Sequence, residues 1–121
     1  MKYKICIILL AILAISCTTD QDSEVRLRLA NVSDLDYTNI TIRNGVPYEN
    51  LEAGAISEYQ VFESSYSYMY VQLVIDQDTL VIQPIDFVGE SFVPSGDYTY
   101  EINANFENND FGSLNAVLVR D

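Results

Sequence analysis

The sequence predicts an all-β protein, a single antiparallel β-sandwich of about seven strands over residues 25–121. Three observations predict it. From residue 25 onward apolar residues recur with period two, which sends alternate side chains to opposite faces of a sheet. Turn-forming Asn, Asp, Gly and Pro separate these runs at short intervals. Beyond the first 16 residues no segment carries a helical period.

The first strand covers residues 25–29, where Val25, Leu27 and Leu29 alternate with Arg26 and Arg28 and therefore point inward. Residues 39–43 repeat the pattern with Ile40 and Ile42 inward. Asn44-Gly45 ends that strand, and Gly45-Val46-Pro47 marks a turn or an edge, because proline offers no N–H to a ladder. A loop at 51–54 leads to a third strand, 57–62. The longest run is 68–75, in which Met69, Val71, Leu73 and Ile75 form an unbroken apolar face. Asp76-Gln77-Asp78 reverses the chain into a strand at 79–83, which Pro84 ends. An irregular stretch, 85–94, reaches the turn Ser95-Gly96 and a sixth strand, 98–104, with Tyr98, Tyr100, Ile102 and Ala104 on one side. Asn108-Asn109-Asp110, with Gly112, forms a polar loop before the last strand, 113–119.

Ahead of the sandwich, Lys2 and Lys4 precede an apolar run from Ile5 to Ile15; small Ser16 and then Cys17 follow. A basic start, a short apolar stretch and a small residue at the boundary make residues 1–16 a secretory signal peptide. The run is shorter than the roughly 20 residues that span a bilayer. Ala14-Ile15-Ser16-Cys17 resembles the lipobox of bacterial lipoproteins, with Ala14 where that motif usually has Leu. This resemblance implies that Cys17 becomes the new N-terminus and carries acyl chains, palmitate among them, which anchor the protein in the outer membrane. Residues 17–24 then form an acidic tether. Acidic residues in that place resemble the surface-export signal of Bacteroidota lipoproteins, which implies display on the cell surface; a plain solvated linker is the alternative.

Val93-Pro94-Ser95-Gly96-Asp97-Tyr98-Thr99-Tyr100 contains a Pro-x-Gly-x-Tyr turn entering a strand. It resembles the turn of immunoglobulin-like and transthyretin-like bacterial domains, which implies a Greek-key sandwich; a small barrel has the same strand number. With Ser57-Glu58-Tyr59 and the segment 83–90, it is similar to small lipoproteins of the Bacteroidota type. That similarity implies a fold and a location, and no activity.

From residue 17 onward, 18 acidic side chains face four cationic ones, Arg26, Arg28, Arg43 and Arg120, a formal balance of −14. Such a charge argues against nucleic acid and against attraction to anionic headgroups, so the membrane is met through the lipid on Cys17 alone. Cys6 lies in the signal and Cys17 is committed to lipid, leaving the domain no disulfide. Its stability must come from an apolar core, for which 49% hydrophobic residues suffice.

Histidine is absent, and with it the usual general base near neutral pH and the Ser-His-Asp and Cys-His nucleophile systems. The same gap removes the usual zinc, iron–sulfur and haem ligand sets, and no Gly-rich phosphate loop is present. A carboxylate pair is the one catalytic arrangement left, and the chain reads as a non-enzyme without a cofactor. Asp34-Leu35-Asp36, Asp76-Gln77-Asp78 and Asn108-Asn109-Asp110 bring oxygen ligands suited to Ca²⁺ into loops. None has EF-hand spacing, and Asp and Asn are turn formers in their own right, so no metal ligand is assigned.

Nine tyrosines and no tryptophan make tyrosine the conspicuous surface chemistry. Tyr66, Tyr68 and Tyr70 share a face by period two, opposite Met69 and Val71, and form an exposed row with Tyr59 on a neighbouring strand. Such rings can hold a glycan or a protein partner, since each offers a flat apolar face and a hydroxyl. They can equally stabilise a sheet as cross-strand pairs. The functional reading is a lipid-anchored, non-catalytic binding or accessory module of the cell envelope. A structural spacer in an envelope complex and a Ca²⁺-dependent binding domain are the alternatives.

Overall fold

Period-two alternation builds two four-stranded sheets in the computed structural model, which describes residues 24–84, 91–107 and 112–121. The signal peptide, Cys17, the tether up to residue 23, and Asn108-Asn109-Asp110 lie outside the described residues. The strands are β1 (Val25–Asn31), β2 (Thr38–Ile42), β3 (Val46–Pro47), β4 (Gln60–Phe62), β5 (Val71–Ile75), β6 (Asp78–Ile82), β7 (Gly96–Asn105) and β8 (Ser113–Arg120). One sheet has the order β4-β1-β7-β8 and the other β3-β2-β5-β6. All neighbours are antiparallel except β1 and β7, which run parallel with Val25 beside Gly96 and Asn31 beside Ile102.

Alternate residues of both sheets meet in one core, the sandwich arrangement the sequence predicts. Val25, Leu27 and Leu29 of β1 and Tyr98, Tyr100, Ile102 and Ala104 of β7 face Ile40 and Ile42 of β2 and Val71, Leu73 and Ile75 of β5. Leu27, Leu29, Ile42, Val71, Leu73 and Ile102 have no solvent exposure at all. Each such side chain contributes about 1.5–3 kcal/mol relative to an exposed one. Tyrosines complete the core at its polar margins: the buried Tyr37 hydroxyl donates to the Ile102 carbonyl at 2.8 Å, and that of Tyr48 to the Leu27 carbonyl at 2.7 Å.

Several strands differ in extent from the sequence reading, each for a local reason. The third predicted strand is shortened to β4 because Ser57 breaks the ladder: its Oγ, rather than a backbone carbonyl, accepts the Leu29 N–H at 2.9 Å. The longest predicted strand loses its first residues, and β5 begins only at Val71. Residues 63–70 instead carry the chain from one sheet to the other, and the Met69 N–H turns to the Tyr100 hydroxyl at 3.4 Å. The Gly45-Val46-Pro47 segment is an edge strand of two residues, β3. Asp76-Gln77 is the two-residue loop of the β5–β6 hairpin, with Asp76 at φ 58°, a left-handed conformation that Asp tolerates.

Candidate functional site

The crossing segment 63–70 places Tyr66, Tyr68 and Tyr70 around a single cavity of about 390 Å³, shared with Arg43, Met69 and Gln83. The three tyrosines thus come together, but not as a strand row. Because β5 starts after them, their convergence comes from a bend in the chain rather than from sheet pleating. Several contacts fix the bend. The Val93 N–H donates to the Ser65 carbonyl at 2.8 Å, the Arg43 N–H donates to the Tyr70 carbonyl at 2.8 Å, and the Ser65 hydroxyl donates to the Tyr66 carbonyl at 2.9 Å. The Tyr66 ring lies against Phe92, centroids 4.8 Å apart and planes at 32°. The Tyr70 hydroxyl donates to Gln72 Oε1 at 2.9 Å.

Arg43 is the cation of this site, and nothing in its sequence context singles it out. It follows β2 at φ 58°, a conformation uncommon for a residue other than Gly, Asn or Asp. Its guanidinium stacks 4.7 Å from the centre of the Phe62 ring and donates through Nη1 to the Ser64 carbonyl at 3.0 Å. A neighbouring cavity of about 290 Å³ also opens onto Arg43, lined by Phe62, Glu63 and Ser64. Since Phe62 is the register partner of Val25, both cavities lie at the end of the molecule where the chain enters β1.

Tyr59 does not belong to this group. It precedes β4 on the other sheet, where the guanidinium groups of Arg26 and Arg28 lie 4.5 and 4.8 Å from its ring centre. Its hydroxyl donates to Asp121 Oδ2. The separation follows from topology: β4 is an edge of the first sheet, whereas 66–70 has already crossed toward the second.

Around Tyr59 a polar network closes the C-terminus onto the outer face of the first sheet. The Thr99 hydroxyl donates to Asp121 Oδ1 at 2.7 Å, Arg28 Nε donates to the Thr99 hydroxyl at 2.9 Å, and Arg26 pairs with Asp97 at 3.2 Å. Desolvation pushes the Asp121 carboxyl upward, but hydrogen bonds from Tyr59 and Thr99 and the charge of Arg28 outweigh it and hold it below the ordinary carboxylate value. The hydrogen bond to Asp121 is in turn the main cause that raises the Tyr59 phenol above its usual value. Every charge in this network has a partner, which is the signature of a structural clasp.

Another cavity, about 540 Å³, lies at the opposite end, between Ser33, Asp34 and Leu35 on one side and residues 103–107 on the other. It holds none of the tyrosines named by the sequence. Of the Asp-rich loops, Asp36 ties its loop to the 51–54 loop by accepting the Ala53 N–H at 3.0 Å, and Asp76 occupies the hairpin turn. Among the described residues, no group of three or more His, Cys, Asp or Glu is placed to hold a metal ion.

Fold and cavity together define a small all-β, sandwich-like domain with one aromatic recess beside an arginine. Comparison with protein-family models, with curated proteins and with solved structures finds no match to this chain.

Proposed function

We propose that this chain is a non-catalytic binding module, anchored at the bacterial outer membrane through lipid on Cys17, whose ligand surface is the recess of Tyr66, Tyr68 and Tyr70. The observation that carries this reading is the convergence of the three rings on one cavity of about 390 Å³. Half-buried phenol rings offer flat apolar faces and hydroxyls at little cost in side-chain entropy, the chemistry by which proteins hold sugars and other proteins. The domain itself is proposed to be an immunoglobulin-like or transthyretin-like Greek key. Supporting this, the Tyr98 hydroxyl donates back to the Pro94 carbonyl at 2.7 Å across the Pro-x-Gly-x-Tyr turn.

Tyr68→Ala tests the site. Binding of the full-length chain to immobilised polysaccharides and envelope proteins should fall roughly tenfold, with the melting temperature nearly unchanged. A large fall in melting temperature would make Tyr68 a packing residue and end this reading.

A further inference from the structure

We infer that the recess of Tyr66, Tyr68 and Tyr70 is built for a carboxylated sugar, a hexuronate, with Arg43 receiving the carboxylate; the inference rests on the recess being the binding site. The argument begins from charge. In a chain with 18 acidic residues, none of the described residues lining this cavity is acidic, and Arg43 is its one cation. Arg26 and Arg28 have acidic partners at 3.2 and 3.6 Å, whereas Arg43, like Arg120, forms no ion pair among the described residues, and of these two only Arg43 lines the recess. Leaving a cation without a carboxylate is conspicuous where carboxylates outnumber cations so heavily.

Position strengthens the case. Stacking on Phe62 and the Nη1 bond to Ser64 fix the plane of the guanidinium, yet occupy only one of its five N–H donors. A planar, pre-oriented guanidinium matches a carboxylate through two parallel N–H···O bonds. The backbone of Arg43 is held in the left-handed region by the turn Arg43-Asn44-Gly45, where the Gly45 N–H donates to the Ile42 carbonyl at 3.1 Å. Conformations of this kind persist where surrounding structure over-determines them, and they cluster at ligand clamps. Beside this fixed cation stand the tyrosine rings, which suit the C–H faces of a pyranose. One polar anchor and an aromatic wall therefore describe a sugar ring carrying a carboxylate.

The test compares tetragalacturonate with its methyl ester, which keeps the ring and removes the charge, by calorimetric titration of the full-length chain in mild detergent. The acid should bind at least about tenfold more tightly than the ester, and the preference should shrink as added salt shortens the screening length. Arg43→Gln should erase the preference, while Tyr68→Ala should weaken both ligands. A melting curve for each variant shows that it is folded, and the acid–ester comparison needs no variant. Equal binding of acid and ester, or a preference that survives Arg43→Gln in a folded protein, overturns the assignment of Arg43 but leaves the recess as a binding site. No binding of either saccharide overturns the uronate assignment, and the Tyr68→Ala binding experiment then decides separately whether the recess binds anything.

Discussion

Asn31 shows how much a single buried polar residue can organise. Its Nδ2 donates to the carbonyls of Leu35 and Leu51 at 2.6 and 3.0 Å, and its Oδ1 accepts from the N–H and hydroxyl of Ser33 at 2.9 and 2.8 Å. The side chain is 1% exposed, so water cannot replace these bonds. Asn31→Ala would remove all four of these bonds and should destabilise the fold by about 2–4 kcal/mol. A thermal melt followed by circular dichroism should show a midpoint lower by roughly 10 °C or more; an unchanged midpoint would mean that the loop relaxes to reach water. Residues of this kind are hard to read in a sequence. Val25, Leu27 and Leu29 declare themselves by alternation, whereas the importance of Asn31, Tyr37 and Tyr48 lies in single carbonyls that the fold brings to them. Arg43 is the same case at the candidate site: its sequence position says strand end, and only the fold shows that it faces the tyrosine recess without forming an ion pair among the described residues.

At the scale of elements, the strand faces were legible and the strand ends were not. The inward sets of β1, β2, β5 and β7 match the alternation, because burial on one face enforces period two along the whole strand. Ends are decided instead by individual hydrogen bonds. Ser57 Oγ takes the Leu29 N–H and cuts β4 short, and the Tyr100 hydroxyl draws the Met69 N–H away from the ladder before β5. Alternation of Tyr and Met through 66–70 thus continues past the point where the backbone leaves the sheet, which is why a row was expected and a recess was found. The turn before β7 is an element the sequence does announce, through Pro94, Gly96 and Tyr98. Gly96, at φ 147°, allows the chain to swing so that the Tyr98 hydroxyl reaches Pro94. Tyr98→Phe keeps the ring and removes that bond, so denaturant unfolding should show a loss of about 0.5–1.5 kcal/mol. A loss of several kcal/mol would instead point to disrupted packing around the ring.

For the whole molecule, the position of the recess matters as much as its chemistry. The recess and the start of β1 share one end of the sandwich, and the larger cavity lies at the other. If Cys17 is the anchor, seven residues separate it from β1, a reach of at most about 25 Å. The tyrosines would then sit on the side of the domain nearest its attachment, and a ligand must come within that distance of the bilayer. Replacing Cys17 by Ala should move the protein from the membrane fraction to the soluble fraction of lysed cells, with its melting temperature unchanged. Retention in the membrane fraction after that change would show that something other than lipid on Cys17 holds it.

The parallel pairing of β1 with β7 has a consequence in time. Residue 26 meets residue 97, and residue 28 meets residue 99, each 71 positions further along the chain. The hairpins β5–β6 and β7–β8 can close from neighbouring sequence, whereas β1 meets β4 with Val25 beside Phe62 and gains its second neighbour, β7, only much later in the chain. Pairings across such separations close a long loop before any contact rewards it, and they fold on the slow side of the range for small domains. The first sheet is therefore complete only after β7 has joined β1 on the side away from β4. If the chain is exported N-terminus first, as proposed, the strand that leads is the one whose sheet closes last.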